Sequence, residues 1–451
     1  MRLFVKDRNF YKTLIAFALP IVLQQLINVG VNMADNIMIG QLGETSMGGV
    51  SQANNFIMIY NIVCMGLGMG ASVLTSRFHG MEDNEGIKKT INIMYRLLFA
   101  TVIAFSLATL LFPSQIMSIY TDDAGINAVG VGYLLISTPC YFLNGYNVTT
   151  SIVLRTVGKA NIPLLSSCCS FMINIFFNWV FIFGNLGAPV MGANGAALGT
   201  LIARVVEFSI TMTYLFVFDK TICMRIKDLF MDVKDLVKEY IRISIPVLVS
   251  DTLLGVGSSA VGAVLGHIGK TFVAANSITS VVMQLAQVAT LGVSQASCTL
   301  TGITLGKGEV EKAKEQGMTL GRIGLIIGIV GCGIIMLIAD PVISLYNINE
   351  ETRLLAKELM DALGIVMIFQ CYNSILTKGV LRGGGDTKFL MVADIIFLWI
   401  FSIPLGILCG IYLKLPGFWI YMAIKIDQFL KSILCFYRIR TDKWIKKISR
   451  K

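Results

Sequence analysis

Two stretches decide how this chain is read: residues 20–45, PIVLQQLINVGVNMADNIMIGQLGET, and residues 246–271, PVLVSDTLLGVGSSAVGAVLGHIGKT. Each opens on a proline, runs apolar for about six turns of helix, and closes on Gly-x-x-Gly-x-Thr. Pro20 meets Pro246, Gly40 meets Gly266, Gly43 meets Gly269 and Thr45 meets Thr271 at one offset of 226 residues. The offset persists beyond them. Gly80 meets Gly306, Glu85 meets Glu311, Lys88 meets Lys314, Ser118 meets Ser344 and Tyr120 meets Tyr346. With one residue more, Leu154-Arg155 meets Leu381-Arg382 and Gly158 meets Gly385. One register held across half of a 451-residue chain is an internal duplication.

The composition fixes the solvent of each half. Hydrophobic residues are 55% and charged residues 14%, against about 25% charged in a water-soluble domain, and mean hydropathy is +0.73. A bilayer core needs about 20 helical residues per crossing. Twelve apolar runs reach or approach that length, at 14–34, 47–76, 91–112, 128–154, 162–183, 191–218, 243–265, 272–305, 323–338, 354–377, 389–413 and 418–437. Unbroken runs of this length are helices, because barrel strands would be about ten residues long and alternating. The first run is not a cleavable signal: its small-x-small pair, Ala16 and Ala18, stands at the start of the apolar stretch. Six spans per half is an even number, so the halves share one topology. The expected fold is an all-α integral membrane protein, with twelve transmembrane helices in two six-helix bundles related by a pseudo-twofold axis along the membrane normal.

The net charge of +10 poses the question of nucleic acid, and the placement of the charge answers it. Thirty of the 37 lysines and arginines fall in the termini and alternate loops on one side; Lys270, Arg353, Lys357 and Lys414 lie on the other. The positive-inside rule then makes both termini cytoplasmic in a multi-pass protein of the cell membrane. The domains read as an amino-terminal bundle at 1–218, a cytoplasmic linker at 219–242, a carboxy-terminal bundle at 243–437 and a basic tail at 438–451 that anchors topology at anionic lipid. In the linker Ile226, Leu229, Phe230, Val233, Leu236, Val237 and Tyr240 stand at helical spacing, which predicts an amphipathic helix on the inner leaflet. Two histidines and no CxxC, HExxH or Walker spacing leave no metal or nucleotide motif. No nucleophile, base and orienting group stand in a catalytic pattern, so the chain is not expected to be an enzyme. Asn147-Val148-Thr149 lies inside a span, out of reach of glycosylation.

Polar residues within the spans are then the candidate machinery. Gln25, Asn28, Asn32 and Asp35 form one stripe on the first span, and a carboxylate in the membrane costs about 2.5–3.5 kcal/mol even on insertion scales. Asn174 and Asn178 stand one turn apart on the fifth span; Thr200, Arg204 and Glu207 share a face of the sixth. At about 1.5 Å per residue, Asn178 lies about 24 Å from the inner end of its span and Thr200 about 12 Å from the outer end of its own. Both therefore share the outer half with Asp35. Arg204 and Glu207 read equally well as a neutralised structural pair. In the second half Asp251 stands at the Gln25 position without an acid at the Asp35 position, and Asp394, Lys425 and Asp427 are further charges within spans.

Ala34-Asp35-Asn36 through Gly40 with Leu42-Gly43, Leu154-Arg155 before Gly158, Asn174-Ile175 before Ile182-Phe183-Gly184, Gly195-Ala196-Ala197, Leu381-Arg382-Gly383-Gly384-Gly385-Asp386-Thr387, and Trp399 before Ile403-Pro404-Leu405 stand along the chain. Together these motifs resemble the multidrug and toxic compound extrusion (MATE) family. The resemblance covers essentially the whole chain. It implies alternating access and export of organic cations, amphipathic drugs or metabolites in exchange for protons or sodium, with no other cofactor. It carries the coupling role to Asp35, with Asn174, Asn178 and Thr200 around it and a sodium ion or a proton as the ion held. Gln25, Asn28, Asn32, Arg204, Glu207, Asp251 and Asn373 are expected along the substrate path. Asn178 stands where many bacterial members have a second aspartate, which leaves one carboxylate at that site. The expected partners are small cationic or amphipathic substrates and the lipid bilayer, with no nucleic acid and a monomer as the working unit. The rival reading, a flippase for lipid-linked oligosaccharides, calls for a strongly basic cavity, whereas Arg204 and Lys425 are the intramembrane basic residues away from span ends.

Overall fold

The computed structural model describes residues 4–346 and 348–447, and among these there are helices and turns but no strand. The helices are α1 (Arg8–Gly40), α2 (Glu44–Gly80), α3 (Asn84–Leu111), the short α4 (Pro113–Ser118), α5 (Ala124–Thr156), α6 (Asn161–Phe183) and α7 (Ala193–Thr213). The second half repeats them as α8 (Lys234–Ile268), α9 (Lys270–Gly306), α10 (Val310–Ser344), α11 (Glu350–Ser374), α12 (Thr387–Ile395), the short α13 (Ile403–Ile407), α14 (Gly417–Ile424) and α15 (Ile426–Ile439). π-helical turns extend α11 through Leu381 and fill Ile396–Ser402 and Leu408–Tyr412 on either side of α13. Eleven of these helical stretches are long and apolar enough to cross a membrane.

The twelfth expected span differs from its reading as one run. It is two helices, α14 and α15, meeting at Lys425, whose backbone leaves the helical region at φ −105°, ψ 16°. Local chemistry sets the other ends. Asp83, Asp123 and Asn349 cap α3, α5 and α11 by accepting the amides of Gly86, Ile126 and Thr352, each at 2.9 Å. The duplication reappears in the turns: Gly158 and Gly385 take the left-handed φ values of 81° and 80° after the two Leu-Arg pairs, a region open to glycine at little cost.

The chain divides into two compact units. One holds Leu23–Ser244; the other joins the chain up to Val22 to the chain from Ile245 onward. The division is therefore not the 1–218 and 243–437 split expected from the duplication. The start of α1 packs with the second half: Phe10, Leu14 and Ala18 share a core with Ala296, Leu300 and Leu320, and the Val5 amide donates to Thr319 Oγ1 at 3.2 Å. In the Leu23–Ser244 unit, Ile39, Val50, Tyr133, Leu134, Ile182 and Ala196 form a corresponding core. Large apolar side chains such as Leu337, Leu345 and Trp419 stay exposed, as a lipid-facing surface requires.

Two polar segments are placed otherwise than their composition suggested. The linker forms no separate amphipathic helix. It makes one short 3-10 turn, Ile226–Phe230, and then enters α8 at Lys234. Ile226 and Phe230 are exposed while Val233, Leu236 and Tyr240 are buried, because α3 holds the segment. Lys88 pairs with Asp228 at 2.8 Å, Lys89 with Asp235 at 3.0 Å, and Asn92 donates to the Asp228 carbonyl at 3.1 Å. The tail likewise docks on protein. Asp386 accepts Arg438 at 2.8 Å and Lys446 at 3.2 Å, and Trp444 is fully buried against Gly384. Residues 448–451 of the expected tail lie outside the described residues.

Candidate functional site

In the Leu23–Ser244 unit, α1, α6 and α7 bring four of the expected residues together. Asn178 Nδ2 donates to Asp35 Oδ1 at 2.5 Å, Asn178 Nδ2 also lies 3.4 Å from Asn174 Oδ1, and Asn174 Nδ2 donates to Thr200 Oγ1 at 3.3 Å. Asn174 and Asn178 are buried and Asp35 is half-buried. The Asn178 amide donates to the carboxylate, while its Oδ1 is buried without a hydrogen-bond partner. An amide carries both a donor and an acceptor, so this one side chain can serve a carboxylate or, after rotation, a carboxylic acid.

Gly199 makes the approach of α6 and α7 possible. A Cβ at Gly199 would lie 2.3 Å from Asn178 Oδ1 and 3.0 Å from the Asn178 backbone nitrogen.

Deeper along the same helices runs a second polar chain. Arg204 pairs with Glu207 at 2.5 Å, Ser167 donates to the other Glu207 oxygen at 3.0 Å, Gln24 donates to Ser167 at 2.8 Å, and Arg155 donates to Gln24. Glu207 is thus tied to three helices. Gln24 and Ser167 carry no signal in the sequence, and Arg155 stands out there only through its Leu-Arg motif. Gln25 is half-buried and Asn28 and Asn32 are exposed, and none of the three joins either hydrogen-bonded chain. Among the described residues the stripe Gln25-Asn28-Asn32-Asp35 is therefore not a continuous hydrogen-bonded network, and its acid is the member that the Asn178 amide engages.

The other unit repeats one contact with a change of chemistry. Arg382 donates to Asp251 at 3.1 Å, and the two residues stand 131 apart, the same separation as Arg155 from Gln24. Asn373 is not near that pair by hydrogen bonding; its Nδ2 donates to Gln428 at 2.9 Å. The charged spans α12 and α15 do meet: Lys431 lies 2.8 Å from Asp394 and 3.2 Å from Asp427. The offset that sets Arg155 against Arg382 also sets Ser167 against Asp394 and Arg204 against Lys431, so carrying it on through the intramembrane polar residues aligns these positions in the two halves.

No group of three or more His, Cys, Asp or Glu residues suited to a metal occurs among the described residues. Asp35 with the side-chain oxygens of Asn174, Asn178 and Thr200 is the set that could face a monovalent ion. The ten cysteines are free.

A duplicated bundle of membrane-length helices, each half carrying buried ionisable side chains, is a multi-pass membrane protein of transporter design. Comparison with known families is specific: the MatE family model matches residues 20–180 and again 246–408, and the chain belongs to that family. The two matches begin at Pro20 and Pro246, the prolines that open the duplicated stretches. The chain is 26% identical to a probable multidrug resistance protein NorM of Thermotoga maritima, over 97% of this chain and 93% of that protein. It is 24% identical to a probable multidrug resistance protein YoeA of Bacillus subtilis, over 97% and 95%. Among solved structures, a MATE protein in complex with MaL6 shares the fold, with TM-score 0.87 at 20% identity and 95% coverage of each chain.

Proposed function

We propose that this protein exports organic cations or amphipathic compounds across the cell membrane, both termini being cytoplasmic, by exchanging them for protons at Asp35. The supporting names are those of the relatives, which are multidrug resistance proteins; they do not favour the oligosaccharide flippase. One observation carries the coupling role: Asp35 stands in an apolar spanning helix, hydrogen-bonded by the neutral amide of Asn178, with Arg204 acting on it only from a distance and paired instead with Glu207. A charge so placed is costly unless water, substrate or a proton answers it. The amide nitrogen of Asn178 occupies the position against the carboxylate, which suits a proton better than a sodium ion in need of several oxygens.

The cycle follows from the two forms of one side chain. Ionised Asp35 holds the centre open to water and to a cationic substrate. Protonated Asp35 is neutral, finds the free Asn178 oxygen as acceptor, and lowers the cost of closing the helices around it. Proton and substrate then compete through one conformational equilibrium, each shifting it by its differential affinity for the two states. For one monovalent cation exchanged against one proton the membrane potential cancels, so a pH unit, about 1.36 kcal/mol, supports about a tenfold dye gradient.

The test uses the purified protein in liposomes, with ethidium efflux measured under a pH gradient and, separately, a sodium gradient. The pH gradient should drive efflux, and Asp35→Asn should remove the response while the variant stays monodisperse in detergent. Efflux driven by sodium alone would assign the other ion. Wild-type efflux by Asp35→Asn would refute the role of Asp35.

A further inference from the structure

The Asp394–Lys431–Asp427 cluster has no part in the exchange at Asp35, yet it is a deeply buried set of charges in its unit. Lys431 Nζ meets Asp394 Oδ1 at 2.8 Å and Asp427 Oδ2 at 3.2 Å, and the three side chains are 4%, 14% and 5% exposed. Each acid is further held by hydroxyl or amide donors. Ser250 donates to Asp394 Oδ2 at 2.5 Å; Ser402 donates to Asp427 Oδ1 at 3.3 Å and Gln428 to Asp427 Oδ2 at 2.6 Å. The break in helix at Lys425 adds to this, since the Asp427 amide turns to Ser402 Oγ at 3.1 Å and not to a carbonyl of its own helix.

The charges do not balance within contact distance. One ammonium faces two carboxylates. Arg382 pairs with Asp251 at 3.1 Å and acts on Asp394 only from a distance. Lys378, on the π-helical extension of α11, and Lys425, at the break, are within electrostatic reach of the cluster, but neither makes an ion pair among the described residues. Cys435 is the remaining titratable neighbour on α15. The equivalent place in the first unit carries a single acid, Glu207, against Arg204. Two buried carboxylates on one nitrogen repel each other, and the site is relieved when one of them is neutral.

We propose that Asp394 and Asp427 share one exchangeable proton, so that Asp394–Lys431–Asp427 is a second proton site, in the unit that does not contain Asp35. The step is protonation of one carboxylate to the carboxylic acid, with Lys431 keeping its ammonium. Ser250 and Ser402 can then accept from the acid where they donated to the carboxylate, as hydroxyls do both. The site's occupancy is independent of the transport reading. Its coupling to transport rests on that reading and raises the count to two protons per cycle.

Stoichiometry tests the coupling at equilibrium, where a merely slowed transporter gives an unchanged answer. In liposomes held at zero membrane potential with a pH gradient of about one unit, the ethidium gradient at which net flux vanishes should be about hundredfold for two protons and about tenfold for one. The wild type should balance near hundredfold, and Asp394→Asn or Asp427→Asn near tenfold, because one carboxylate on Lys431 is a simple ion pair. A wild type balancing near tenfold, or variants still balancing near hundredfold, would overturn the proposal. Should no dye move in any sample, infrared titration of the purified protein decides the site by itself. Asp35→Asn should retain one titrating carboxylic acid that Asp35→Asn/Asp394→Asn lacks; identical titrations would overturn the site.

Discussion

Replacing Gly199 by alanine is the sharpest probe of the Asp35 centre, because Gly199 shapes the centre without contributing a polar atom to it. The new Cβ would meet Asn178 Oδ1 at 2.3 Å, the Asn178 backbone nitrogen at 3.0 Å and the Phe177 carbonyl carbon at 3.2 Å. A side-chain oxygen can swing away, but the backbone of α6 cannot. Either the two helices part, an overpacking cost of about 1–3 kcal/mol, or Asn178 leaves Asp35 and forfeits a hydrogen bond to a charged group of about 1.5–3 kcal/mol. At about 1.36 kcal/mol per tenfold in rate, the second route lowers pH-driven ethidium efflux about tenfold to a hundredfold, while the first lowers the thermal midpoint in detergent. Gly331→Ala is the control: nothing lies within 4 Å of a Cβ there, and removing a helical glycine is stabilising by up to about 1 kcal/mol. Gly199→Ala with wild-type efflux and wild-type melting would refute the claim that Asn178 must be seated against Asp35.

Three further outcomes follow from contacts elsewhere. Arg382→Gln strands the Asp251 carboxylate, and since Asp251 keeps 23% exposure the loss should sit at or below the low end of the ~3–5 kcal/mol for a broken buried pair; Arg382→Gln/Asp251→Asn should melt higher than the single variant, and equal melting would show that the pair does not matter. Trp444→Ala empties a fully buried site and should cost about 3–5 kcal/mol, seen as early protease cutting within 438–447 before the rest of the chain. Burial works against the charge of Asp228, but Lys88 and the Arg225 amide outweigh it and hold the carboxyl below its ordinary range. Its contribution is therefore complete above the unfolded carboxylate value of about 3.9 and is lost as pH falls through the lower folded value. Hydrogen exchange across 226–233 should stay slow down to mildly acidic pH and be fast at neutral pH in Asp228→Asn; exchange that is unchanged in that variant would remove the clamp.

The helical membrane fold was legible because hydrocarbon leaves the backbone a single local solution, so run length alone counts crossings. The duplication was legible in Pro20 and Pro246, Gly43 and Gly269, which impose backbone geometry at fixed places. Sequence did not show the break at Lys425, since an apolar run reads the same whether or not one residue leaves the helix. The linker was misread because amphipathic spacing shows that a face is buried, not what buries it: Tyr240 faces protein. The charge of the tail likewise gave no sign that Trp444 is buried against Gly384. At the site, Asp35, Asn174, Asn178 and Thr200 were found by residue type and depth. Gln24 was missed in favour of its neighbour Gln25 because adjacent glutamines differ only in direction, which is settled by the partners Ser167 and Arg155.

The assignment of the chain's first residues to the later half bears on how the protein is made. Phe10, Leu14 and Ala18 leave the ribosome at the outset, but the residues that bury them, Ala296, Leu300, Leu320 and Trp444, are all synthesised in the second half of the chain. The opening helix must therefore wait in the bilayer with part of its surface unclaimed while more than half of the polypeptide is inserted. A fragment ending near Ser244 would carry that surface unburied for as long as the residues from 245 onward were withheld.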